Sequence, residues 1–573
     1  MKSAVLFILL PFLLVGFFSA GPGKHSELPG TAANPGVIGC APDLVATDSA
    51  TDGKLMIALP GWGKHQYAIS TKKDSAQFYF NQGLNMYYSY HSREANASFK
   101  EAARFDPECA MVYWGQVLAR GPAYNFAHAY VMPKEIPALI RKMNSFKQDA
   151  SDKEKDLIEA MNARYSPDSS DKERKNLNAA YSKKMQELVS KYPEDHDISA
   201  LYIDAVMLEH PWNFWNNDSS PKPWTLELVN LCENIFKTVP EHPGALHYYI
   251  HVTEASRNPE RALRSADVLK DLLPGVAHMV HMSSHVYERN GSYEQGVEVN
   301  EKADQNLVYY DSMVKGIKTI SLSRHVSHYF AVQTYCALSG AMYSKGMPMA
   351  FRVRESVSPT HQNNYQQYLY MLPVMARVRL GRWNEIMQDK NEPNSDWTYA
   401  SLLYDFAIGM AYTHANKIDM AKQHLQRLRE KSKDNILKIV DTPFNSPAQG
   451  AYIAENILSA SILFKEKRHN DAIECFKKAI HMEDSLIYVE PKDWVIPARQ
   501  YLGAYLLKLK RPQDAEKIYR EDLILNPGNG WSLLGLYQSL QAQGKNKEAD
   551  SHRAGYMKSF SAADEIPPGS VYF

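Results

Sequence analysis

Apolar residues recur along most of this chain every three to four positions, the period of helices that bury one stripe. In FNQGLNMYYSYHSREANASFKEAARFDPECA, Gly83, Ala95, Phe99, Ala102 and Pro107 stand 12, 4, 3 and 5 residues apart. Small residues let two helices approach, the phenyl ring fills the gap between them, and proline starts the next helix. Ala460, Ala472, Phe476 and Ala479 repeat the first three intervals, and Gly503, Ala515, Tyr519 and Pro527 repeat the frame with tyrosine in place of phenylalanine. These are tetratricopeptide units, so the expected fold is an all-α solenoid, a superhelix of antiparallel helix pairs.

Between the clear units the helical rhythm continues, as in SDKEKDLIEAMNARY and YSKKMQELVSKY, while HPWNFWNNDSSPKPW reads as a loop. Pro259 and Glu260 begin a second helix of the central unit, and Asn290-Gly291 turns the next pair. Alternating Val/Ile runs bounded by hairpin turns do not occur, so strands are expected to be nearly absent. Residues 1–20 carry Lys2, an apolar run and small residues at the end, the pattern of a secretory signal. Residues 21–70 form an extended leader, 71–345 an N-terminal repeat array, and 346–573 a C-terminal set of tetratricopeptide repeats. After the signal no segment offers about 18 uninterrupted apolar residues, so no membrane span is expected.

The chemistry is concentrated between Glu241 and Asp304. There His247, His251 and Glu254 fall within roughly 60° of one another on a helix, and so do His278, His281 and His285. His251 and His285 are 34 residues apart, one repeat length, so the two stripes are expected to face a common space. His325 and His328 add a third cluster on the first helix of the following unit. Neutral imidazole binds zinc, copper, nickel and iron, and helical pairs three or four apart can grip one ion. Seven histidines exceed one tetrahedral ion's need, so one to three ions are expected, with Glu254, Glu288 or Asp304 as partners of the ligands' second nitrogens. His91, with Glu94 nearby, is a further candidate ligand, and His65 could reach in from the leader. His210 and His242 read as loop or cap residues, and Met279 and Met282 as core.

Composition narrows the function. Lys+Arg 64 balances Asp+Glu 64, which removes the basic excess of a generic nucleic-acid binder, so no nucleic-acid partner is expected. Five cysteines spread over the chain make no disulfide framework and no thiolate zinc site. Sequons stand at Asn96, Asn217 and Asn290. A Gly-rich phosphate loop, a GxSxG elbow and a CxxC pair are all missing.

AQFYFNQGLNMYYSYHSREANASFKEAARFDPECAMVYWG, GALHYYIHVTEAS with PERAL, HMVHMSSHVYERNGSY, and EPKDWVIPARQYLGAYLL with NGWSLLGL together resemble an exported tetratricopeptide-repeat family with histidine-rich helical motifs. The resemblance spans about Gly63 to Asp564. In that family the third cluster often reads HNxHF; here it is His325-Val326-Ser327-His328-Tyr329, which keeps both histidines and loses the asparagine. The resemblance implies the fold and supports the histidine site without attaching a reaction to it.

The reading is therefore a secreted or periplasmic metalloprotein with a multi-histidine transition-metal centre. Its metal ligands are drawn from His247, His251, His278, His281, His285, His325, His328, His91 and Glu254. A thiolate-free, imidazole-rich site outside the cytosol favours copper over zinc, and a metal-dependent oxidoreductase acting on a small-molecule substrate. The rivals are a protein- or peptide-binding scaffold without catalysis, which predicts polar ladders on the inner helices, and a zinc-dependent hydrolase with Glu254 as base.

Overall fold

The computed structural model describes residues 55–126, 130–166, 173–314, 326–440 and 445–573. The signal segment, leader residues 21–54, Cys40 and His325 lie outside them. The described chain is all α: twenty-four α-helices and, among the described residues, a single isolated bridge, Trp215 to Pro221, in the expected loop. Among those residues, no helix is long and apolar enough to cross a membrane.

Consecutive helices pack as antiparallel pairs, and the first helices of successive pairs touch one another in a row. That row runs through His196–Glu209, Pro243–Thr253, Ala277–Arg289, Val326–Ser339 and Asn364–Arg379, and on to Gly530–Gln541. Its members are buried on nearly every side. Second helices bury one stripe only, as Ile418–Lys431 does with Ala421, His424, Leu425 and Leu428. The Asp152–Ala163 helix starts on a capping box, in which Ser151 and Glu154 satisfy each other's backbone amides.

Phenylalanine in the repeat frame does what the spacing requires. A methyl group on Gly83 would sit 2.7 Å from the Phe99 ring, and one on Gly115 would sit 2.4 Å from it, so the ring is wedged between two helices that only glycine lets so close. Tyr519 fills the same place against Gly503 and Gly535. Phe99→Ala is expected to cost about 3–5 kcal/mol, and Gly115→Ala about 1–3 kcal/mol through overpacking. Both are read as lower thermal midpoints.

The leader is docked where it is described. Gln82 accepts from Leu59 N at 2.9 Å and donates to Ile57 O at 2.9 Å; Gln77 accepts from Ile69 N at 3.0 Å and donates to Tyr67 O at 2.8 Å. Asn81 accepts from Tyr67 N, and Asn85 donates to His65 O. One face of the Asp74–Tyr88 helix thus holds residues 57–69 by their backbone, as a polar ladder holds a peptide. Trp62 is buried against His91 and Tyr310.

Candidate metal centre

Three helices of the row, Pro243–Thr253, Ala277–Arg289 and Val326–Ser339, bring six histidines together in two trios. His247, His251 and His278 form the first, and His281, His285 and His328 the second; within each, the ligand atoms lie within 4.8 Å of one another. All six side chains are buried. The two trios are built alike. A pair four residues apart on one helix meets a single histidine from the next helix of the row. The offsets from His247 to His281 and from His251 to His285 are both one repeat.

Hydrogen bonds fix the direction of each paired imidazole. Tyr88 O lies 2.6 Å from His247 Nδ1, and a carbonyl oxygen can only accept, so Nδ1 carries the proton and Nε2 offers a bare lone pair. Glu254 treats both trios alike: one carboxylate oxygen takes His251 Nδ1 at 3.0 Å, and the other takes His285 Nδ1 at 3.0 Å. Asn300 Oδ1 takes His281 Nδ1 at 2.6 Å, its amide held that way round because Nδ2 donates to Gly296 O at 2.7 Å. Consequently His247 Nε2 and His251 Nε2 point lone pairs at each other across 3.1 Å, and so do His281 Nε2 and His285 Nε2. His278 Nε2 is also 3.1 Å from His247 Nε2.

Bare nitrogens facing one another at that distance repel unless a cation lies between them. Ligands about 2.0–2.1 Å from one ion, at angles between 90° and tetrahedral, lie about 2.9–3.4 Å apart. The donor set and its spacing fit a first-row transition metal.

Burial opposes the charged form at two of these rings. It pulls His247 well below the ordinary imidazole value, reinforced by repulsion from His251, and brings His328 down to about 3. Burial also lowers His285, but the Glu254 carboxylate outweighs it and leaves that ring above its ordinary value. Glu254 would itself be raised by burial, yet His251 and His285 draw it below the usual carboxylate range. A loop following the His469–Asp484 helix brings Glu490 within 4.8 Å of the Glu254 and His285 ligand atoms, where burial and the neighbouring carboxylate push its carboxyl well above the usual carboxylate range.

The remaining candidates fall elsewhere. His91 is buried with its ring 6.4 Å from that of His278 and belongs to neither trio. His65 does not reach the trios: its Nε2 meets Asp197 Oδ1 at 2.8 Å, beside His242. His242 caps the Pro243–Thr253 helix, its Nδ1 accepting from Ala245 N, which leaves its proton on Nε2 facing Asp197; this third cluster is a hydrogen-bonded brace, not a ligand set. Tyr88 donates to the same Asp197 oxygen at 2.7 Å, so the brace ties the leader to the residue whose carbonyl orients His247. His210 stacks on Trp224.

Asp304, expected as an outer partner, is bound to Arg352 instead. Both oxygens of Glu254 accept from ring nitrogens on the side away from the Nε2 atoms, and with His285 and Glu490 it forms a further group that could hold an ion. Tyr249 and Tyr287 donate to Glu233 and Asp267. Met279 and Met282 are core. Cys109, Cys232, Cys336 and Cys475 are free thiols, none in either trio. Sequence reasoning missed Asn300, Glu490 and the Tyr88 carbonyl. The first two are polar residues with no motif around them, and no side chain marks the third.

No protein-family model and no curated protein matches the chain. Solved helical-repeat structures align over most of its length. Human IFIT1 dimer with m7Gppp-AAAA is 12% identical over 86% of this chain and 91% of that chain, with a TM-score of 0.28. The Cut9–Hcn1 hetero-tetramer of APC/C is 11% identical over 87% and 95%, with a TM-score of 0.25. Yeast Tom70 is 13% identical over 84% and 90%, with a TM-score of 0.24. Scores this low carry no superposition of the superhelices and no function; the helical-repeat class rests on the helix pairs themselves.

Proposed function

We propose that the chain is a dinuclear transition-metal protein, with copper favoured, that works as an oxidoreductase on a small organic molecule. The observation that carries this reading is the pair of 3.1 Å contacts between imidazole nitrogens whose protons are pinned to the opposite side of each ring. Three neutral imidazoles per ion leave a coordination position open to another ligand, and copper so bound would supply one-electron and dioxygen chemistry. The chain's own residues orient and insulate. Tyr88, Glu254 and Asn300 aim the nitrogens, while Tyr90, stacked near His247 and His251, and Tyr329, stacked 4.2 Å from His281, exclude water. Export to a less reducing compartment, as the first twenty residues suggest, would suit copper. A zinc hydrolase using Glu254 as base is disfavoured because that carboxylate is already engaged.

Elemental analysis of the purified protein is the test, and about two ions per chain are expected. A metal-free product that also fails to take up added copper or zinc would overturn the reading.

One observation favours the scaffold reading beside it: the ladder formed by Gln77, Asn81, Gln82 and Asn85. If these residues serve a partner, a synthetic peptide of residues 55–70 added to a chain truncated before Thr71 should bind, and Gln82→Ala should weaken it. Failure to bind would show that the ladder does not by itself hold an extended peptide, and would remove this support for the scaffold reading.

A further inference from the structure

Beyond the end of the Pro243–Thr253 helix lies a cavity of about 460 Å³, walled by the Trp-rich loop 210–224 and the segment 483–494. That is the size of pocket that takes a small organic ligand. Its wall holds Trp212, Trp215, Tyr488 and Trp494 together with Arg289 and Lys492. Trp212 stacks on Tyr124 at 4.5 Å, and Tyr124 packs on the metal-candidate His251 at 5.2 Å, so one aromatic layer separates the cavity from the first trio. Arg289 donates to the carbonyl oxygens of Glu254 and Ser256, which joins the cavity wall to the residue that orients both trios.

The two cations are unusual in their partners. Arg289 Nη1 and Lys492 Nζ both donate to the same oxygen, Asn526 Oδ1, at 3.2 and 2.6 Å. The other acceptors of Arg289 are backbone carbonyls. Among the described residues neither cation has a carboxylate within ion-pairing distance. Four carboxylates of the same wall are engaged elsewhere, Asp484 with Arg499, Asp522 with Ser532, Asp493 with Asn445 and Glu483 with Ala498 N; the fifth, Glu521, pairs with neither cation. Two like charges gathered on one neutral oxygen repel, and an anion placed between them removes that cost.

We infer that this cavity binds an aromatic carboxylate, either a free acid or the carboxyl end of a peptide, whose ring lies against the tryptophans and whose carboxylate is taken by Arg289 and Lys492. The assignment of this ligand as substrate rests on the metal reading above; the binding itself does not. Calorimetric titration with 3-phenylpropionate, 3-phenylpropanamide, and Ala-Ala-Phe with free or amidated carboxyl terminus tests it, on protein of measured metal content and again after chelation. The acid is expected to bind tenfold or more tighter than its amide, with or without metal, because a charged hydrogen-bond pair is lost in the amide. Binding by the free acid or only by the free-ended peptide identifies the source, and either supports the site.

Lys492→Gln and Arg289→Gln should each abolish the preference for the acid; Lys492→Gln, whose one bond goes to Asn526, should also leave metal content and helical circular dichroism as in the parent. Should Arg289→Gln fail to fold, Lys492→Gln, which gives up a single side-chain bond, decides alone. Equal binding of acid and amide, no binding of either, or an undiminished preference in Lys492→Gln would overturn the inference while leaving the metal site standing. Acid binding by a chain that takes up no metal would overturn the metal reading instead.

Discussion

Changing His281 and His285 together to alanine is expected to lower the metal content from about two ions per chain to about one. The two residues supply two of the three nitrogens of the second trio and none of the first. One remaining imidazole, His328, cannot hold an ion against solvent, whereas His247 keeps its 3.1 Å contacts with His251 and His278. Elemental analysis checks the number, and circular dichroism checks that the array still folds. A metal content equal to the parent's would remove these histidines from the centre. Complete loss would mean that the two trios hold their ions only as a unit.

Glu254→Gln should act on both ions at once. A carboxylate has two oxygens that accept, and here each takes the Nδ1 proton of a histidine from a different trio. A glutamine amide can accept at one side only and presents N–H at the other, so one of the two rings must turn or shift its proton to Nε2, where it blocks the metal. Loss of such an outer partner typically weakens metal binding 10–100-fold, and the lost charge weakens the other ring's hold as well. Competition against a chelator of known strength measures this. The ring left with an N–H partner should lose its ion first, with the second ion weakened by a smaller factor. Unchanged affinity at both would show that Glu254 braces the helices and does not tune the ligands.

These two variants separate roles that sequence alone merged. His247, His251, His278, His281, His285 and Glu254 are legible as stripes because helical periodicity gives each residue an angle, and the 34-residue repeat says that equivalent helices lie side by side. Periodicity does not say how two stripes divide. Glu254 reads as a ligand, a base or an outer partner on the His247 stripe until the structure places it between the two trios, and His278 reads as a partner of His281 until it crosses to His247. His65 and His91 carry the same ring as the candidate ligands, but His65 meets Asp197 and His91 packs on Trp62.

The sequence by itself determined the helix pairs, their repeat length and the row of imidazoles, because all three depend on spacing along the chain. Tertiary structure decided which nitrogen of each ring is bare, since that depends on a carbonyl from Tyr88, an amide from Asn300 and one shared carboxylate arriving from separate helices. It also decided where Glu490, Arg289, Lys492 and the tryptophans of 210–224 meet. These residues lie far apart along the chain, and only closure of the array brings them together.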